Sequence, residues 1–71
     1  MHHEFTVIIE KDEPFYIGYC LEVPGANGQG FTVEECKEDV AEAIKLMLQI
    51  RLEEGLEGVP ADAIRETVVL S

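Results

Sequence analysis

Between Val23 and Glu35 the apolar pattern of this chain changes period, and that change restricts the folds open to it. Upstream, apolar residues alternate in the manner of strands; downstream they recur every third or fourth position, as on a helix. The stretch itself opens with the turn dipeptide Pro24-Gly25, runs through Gly28 and Gly30, and closes on the helix-start signal Thr32-x-x-Glu35. The Thr32 hydroxyl is placed to accept from the amide of Glu35, whose carboxylate can reach back to the Thr32 amide. Glu34 and Glu35 also suit the positive end of a helix dipole. A strand-rich first part followed by a long helix is the pattern of an α+β domain.

The first part reads as a hairpin. Phe5-Thr6-Val7-Ile8-Ile9 has strand composition, with Phe5, Val7 and Ile9 on one face and Thr6 and Ile8 on the other. Lys11-Asp12-Glu13-Pro14 is a turn. In Phe15–Leu21, Phe15, Ile17, Tyr19 and Leu21 share one face, while Tyr16, Gly18 and Cys20 take the reverse face, where Cys20 is expected as a free thiol. Ala26–Phe31 is poor in strand formers, and Asn27-Gly28 equally suits a tight turn. It is read as a short edge strand because a two-stranded hairpin rarely stands alone.

In the helix, Val33, Cys36, Val40, Ile44, Met47 and Leu48 form the stripe expected to face the sheet, with Glu34, Glu38, Glu42, Lys45 and Gln49 opposite. The helix is expected to end near Glu53 or Glu54 with Gly55 as a left-handed cap, and Gly58 and Pro60 mark a loop beyond it. Ile64–Leu70 reads as a last strand, with Ile64, Val68 and Leu70 on one face. The fold class is therefore α+β: β-β-β-α-β in one domain spanning residues 1–71. A right-handed return from strand three would place strand four parallel to strand one, in a single mixed sheet of order 3-2-1-4 with the helix on one face.

The helix's second half is too apolar for that role alone. Leu46 and Ile50 lie to one side of the core stripe and Leu52 to the other, while Arg51 falls near its centre. Arg51 is tolerable there only if the helix has run past the sheet. Two accounts fit the surplus: the loop from Gly55 to Ala63 packs over it, or Leu46 and Ile50, with Leu52 or Leu56, form a surface for self-association into a dimer or tetramer. A chain of 71 residues buries only about 60% of its unfolded surface, which makes oligomerisation a natural reinforcement.

Charge and cysteine usage narrow the function classes. Fifteen acidic residues against five basic ones give a net charge of −10, which disfavours a grip on nucleic acid or anionic lipid and suits a basic protein partner. No apolar run approaches the ~20 residues of a membrane span. With no export-like segment ahead of Phe5, Cys20 and Cys36 are expected as reduced thiols of a cytoplasmic protein.

No catalytic set converges in the sequence, and no enzyme is expected. The only histidines, His2 and His3, stand at the amino terminus. Cys20 and Cys36 lack metal-site spacing, and Cys36 falls on the apolar stripe. The glycines of Gly25-x-x-Gly28-x-Gly30 invite a phosphate-loop reading, but no Gly-Lys-Ser/Thr follows and Glu34 and Glu35 occupy the turn an anion would need. No cofactor or metal is expected.

Strand–turn–strand, then Val23-Pro24-Gly25, then Gln29-Gly30-x-Thr32-x-Glu34-Glu35 resembles the HicB antitoxin family over residues 5 to 50. Pro24, Gly25, Gly30, Thr32 and Glu35 carry the motif; Cys36 stands where that family has alanine, and Val23 where it has leucine. The resemblance implies a truncated ribonuclease-H-like fold that binds and masks a small basic RNA-cleaving toxin, HicA. Nuclease activity is not expected with it, since the first strand's centre is Val7-Ile8-Ile9, which has no ligand for a divalent ion. Full-length HicB proteins carry a carboxy-terminal DNA-binding segment, whereas this sequence stops at Ser71, so direct DNA binding is not expected either. On general interface grounds Tyr16 and Glu22 of the hairpin, and Glu34, Glu38 and Glu42 of the helix, are the candidate partner-binding residues.

Overall fold

The computed structural model describes residues 4–69. Three strands, β1 (Val7–Asp12), β2 (Phe15–Cys20) and β3 (Asn27–Gly30), precede one helix, α1 (Val33–Leu56). β1 and β2 pair antiparallel from Val7 opposite Cys20 to Asp12 opposite Phe15, so Glu13-Pro14 forms a two-residue connection. β3 adds antiparallel to β2, with Tyr16 opposite Gly30 and Tyr19 opposite Asn27. Between them the chain turns tightly: the Cys20 amide donates to the Ala26 carbonyl at 3.0 Å, and the Ala26 amide to the Val23 carbonyl at 3.1 Å.

The sheet order is β1-β2-β3, entirely antiparallel, which corrects the expected mixed sheet of order 3-2-1-4. Among the described residues the fourth strand does not form: residues 64–69 carry no strand pairing, and Ile64 is 87% exposed, while Leu70, the last residue of the expected strand, lies outside the described residues. The helix runs past the core before it releases the chain: its last core contacts are Ile44 and Met47, yet it continues to Leu56, roughly 14 Å further at 1.5 Å per residue.

The helix also ends later than expected. Gly55 stays within α1, and the left-handed residue is Gly58. Glu57 at φ −63°, ψ 134° and Gly58 at φ 77° make a type II turn, closed by the Val59 amide donating to the Leu56 carbonyl at 3.2 Å. That turn needs a positive φ at its third residue, which glycine supplies without strain. At the other end Thr32 caps the helix as expected, its hydroxyl accepting from the Glu35 amide at 3.1 Å.

The core is Cys20, Val23, Ala26, Cys36, Val40 and Ile44, with Val7, Ile9, Tyr16, Ala43 and Met47 packed around it. The helix thus lies on the Tyr16–Gly18–Cys20 side of β2, and Cys20 is 4% exposed rather than free on an outer face. Val33 and Leu48, expected in the stripe, are exposed. Glycine decides the side. A Cβ on Gly28 would stand 2.7 Å from the Val40 amide nitrogen, and one on Gly30 would stand 2.6 Å from that of Cys36. The helix backbone therefore rests directly on β3, which only a strand with no side chains on that face permits.

Candidate functional site

Seating α1 on β3 leaves a shallow groove between them, lined by Gln29, Gly30, Glu35, Glu38, Asp39 and Glu42. Residues 35, 38, 39 and 42 share this side of the helix because three- and four-residue steps bring side chains together. Asp39 is anchored, its Oδ2 accepting from the Gln29 amide at 2.9 Å. Lys45 donates to Glu42 at 3.2 Å, an exposed pair that neutralises one end of the groove. The groove brings together Glu38 and Glu42 of the sequence-derived set, adds Glu35 and Asp39, and leaves Glu34 outside its lining. Asp39 was legible in principle, lying four residues after Glu35 and three before Glu42.

The hairpin candidates occupy different settings. Tyr16 is half-buried on the helix side of the sheet. Glu22 has both oxygens engaged: the Thr6 hydroxyl and the Thr6 amide each donate to it at 2.7 Å, and the Cys20 thiol lies 3.5 Å away. Donation by the Thr6 hydroxyl above all, and then by its amide, lowers the Glu22 pKa from 4.5 to about 2. The side chain ties the start of β1 to the loop after β2.

The sheet's other face has no helix over it. Ile8, Phe15, Ile17 and Tyr19 lie there, and the Phe15 ring stacks at a tilt on Phe31 with centroids 4.9 Å apart. A second shallow groove on β2 and β3 is lined by Ile17, Gly18, Tyr19, Asn27, Gly28 and Gln29. The alternation read from the sequence placed Phe15, Ile17 and Tyr19 on one face, as the register does, but not on the open one, and Leu21 lies past the end of β2.

Beyond the sheet, Leu46, Ile50 and Leu52 remain exposed, as do Leu48 and Leu56. Residues 57–63 are themselves exposed and leave these leucines uncovered, so the loop account of the helix's apolar second half does not hold. Arg51 reaches back from this overhang, its Nη2 donating to the Pro24 carbonyl at 3.1 Å. Of the motif residues, Gly25 takes φ 93° beside Met47, while Gly30, Thr32 and Glu35 form the helix seat and cap.

Cys20 and Cys36 are free, buried thiols. Burial foremost, and the nearby Asp39 carboxylate after it, raise the Cys36 pKa, so the thiol stays protonated and unreactive. Among the described residues no group of three or more His, Cys, Asp or Glu side chains is arranged to hold a metal ion, and no helix is long and apolar enough to cross a membrane. His2 and His3 lie outside the described residues.

These features define a small α+β protein with a one-sided sheet, an acidic groove and an apolar helix overhang. The chain is 45% identical over 71 residues to a UPF0150 protein of Synechocystis sp., covering 99% of each chain. It is 37% identical over 49 residues to a UPF0150 protein of Archaeoglobus fulgidus, covering 68% of this chain and 71% of that one. It belongs to the UPF0150 family. No family model and no solved structure matches it.

Proposed function

We propose that this protein is a HicB-like antitoxin module, a cytoplasmic and homo-oligomeric binding protein that neutralises a small basic RNA-cleaving toxin by protein–protein contact rather than by catalysis. The observation that carries the reading is the acidic groove of Glu35, Glu38, Asp39 and Glu42 on a chain of net charge −10. Such a field attracts a basic partner, and the resulting association weakens as salt shortens the screening length to about 8 Å at physiological strength. The open groove beside Ile17 and Tyr19 favours a second reading, in which a stand-alone oligomer of the same fold takes another protein or a small apolar ligand.

Co-expression with a small basic reading frame encoded beside this chain tests the first reading. Recovery of a stable complex and relief of toxicity are expected, with both reduced by Glu38→Lys and Glu42→Lys together. Toxicity that persists, with no complex recovered at low salt, refutes it. The self-association half of the proposal rests on exposed Leu46, Ile50 and Leu52, and light scattering reads it directly.

A further inference from the structure

The chain exposes more surface than its mass requires. A compact monomer of 7.9 kDa exposes about 4,400 Å², whereas this chain exposes 5813 Å². The surplus of about 1,400 Å² exceeds the ~800 Å² that each partner contributes to a standard interface. The radius of gyration is 15.7 Å, against about 11 Å for a compact chain of this length. The helix overhang and residues 57–69, every one of which is exposed, contribute to the surplus together with the uncovered sheet face.

The two edges of the sheet are unlike. At β3 the outward amide of Gln29 is taken by Asp39, and the helix lies over Gly28 and Gly30. At β1 the Leu21 amide donates to the Thr6 carbonyl at 3.0 Å, which sets the antiparallel alternation. It turns the N–H and C=O groups of Val7, Ile9 and Lys11 outward, where no backbone bond reaches them among the described residues. That edge is also apolar, with Val7, Ile8 and Ile9 each half-buried. An unpaired edge of this kind is a template for an added strand.

We propose that the outer edge of β1 is a strand-accepting site, and that its occupant is residues 64–69 of a second copy of this chain, exchanged reciprocally. The segment Ile64-Arg65-Glu66-Thr67-Val68-Val69 has four β-branched residues among its six. Past the turn in which the Ala63 amide donates to the Pro60 carbonyl, no backbone hydrogen bond among the described residues reaches it. The helix that precedes it runs to Leu56, past its last core contact at Met47, before the segment begins. Arg65 and Glu66 cancel, so the segment is neutral and approaches a second acidic copy with little repulsion. Because each chain supplies one open edge and one unpaired segment, a two-fold dimer fills both sites and leaves none over. The proposal rests on the homo-oligomeric part of the preceding reading and moves its contact from the exposed helix face of Leu46, Ile50 and Leu52 to the edge of β1; toxin binding is not needed for it.

Sedimentation equilibrium of the full chain, with Thr67→Pro and Val68→Pro variants, tests it. Adjacent amides point to opposite sides of a strand, so one of the two prolines removes a pairing donor wherever the register falls. The full chain is expected to be a dimer with slow hydrogen exchange at Val7, Ile9 and Lys11. At least one proline variant should weaken the dimer by about tenfold or more and expose those amides, with helical circular dichroism unchanged. A full chain that stays monomeric overturns the proposal. So does a dimer that both proline variants leave intact. Dissociation by Leu46→Asp with Ile50→Asp alone overturns it as well, although the oligomeric reading would then survive through the helix face.

Discussion

Gly28→Ala and Gly55→Ala add the same methyl group at two places in this chain and are expected to move stability in opposite directions. At Gly28 the new Cβ would lie 2.7 Å from the Val40 nitrogen and 3.0 Å from the Asp39 carbonyl carbon. Ordinary contact begins at 3.4 Å, so the gap must open by 0.7 Å. The obstructing atoms are helix backbone and cannot rotate aside; the helix itself must lift, drawing Cys36 and Val40 out of contact with β2. Overpacking of this kind costs typically 1–3 kcal/mol. It is offset by the roughly 0.4–1 kcal/mol that alanine gains from the less flexible unfolded chain. The net loss is about 1–2 kcal/mol, which lowers Tm by roughly 5–15 °C in a domain of this size. At Gly55 nothing lies within 4 Å and the residue is helical, so alanine gains up to about 1 kcal/mol, less any discount for fraying near the helix end. Thermal melts followed at 222 nm separate the two cases. A Gly28→Ala variant as stable as the parent would refute direct seating of the helix backbone on β3.

Loss of the helix cap in Thr32→Ala should cost about 1 kcal/mol, read as a lower midpoint in urea with an unchanged slope. The Glu22 carboxyl is depressed when folded, so its contribution is full above pH 4.5 and is lost as pH falls toward about 2. Glu22→Gln should therefore flatten the fall in stability across that window while leaving the curve above pH 5 parallel to the parent's. Cys36 should resist alkylation at neutral pH until the protein is unfolded, and rapid labelling of the native chain would contradict its burial and raised pKa.

The place of the open face has a physical cause that bears on any partner. Both sides of β2 are apolar, Tyr16 and Cys20 on one and Phe15, Ile17 and Tyr19 on the other, so hydrophobicity alone does not choose where the helix lies. Gly18, Gly28 and Gly30 share the side of Tyr16 and Cys20, and the missing side chains let the helix approach closely there. The larger aromatic residues are left outside, where the second groove forms. An exposed apolar sheet face of this kind is a candidate contact surface.

The change of period at Val23–Glu35 determined the most. It placed the hairpin, the turn at Pro24-Gly25 and the helix start at Thr32, because each of these is settled by residues close together in the chain, whereas Gly28 and Gly30 serve the approach of the helix to β3. The helix-facing stripe of Cys36, Val40 and Ile44 was equally legible, since its spacing is a property of the helix alone. Tertiary structure decided which sheet face the helix covers, and through that choice it buried Cys20 and opened the Ile17–Tyr19 groove. It also carried the helix through Gly55 to the type II turn at Gly58, and it withheld a partner strand from residues 64–69. Strand composition states only that a segment suits a sheet; whether an edge lies within reach depends on where the preceding helix lets the chain go.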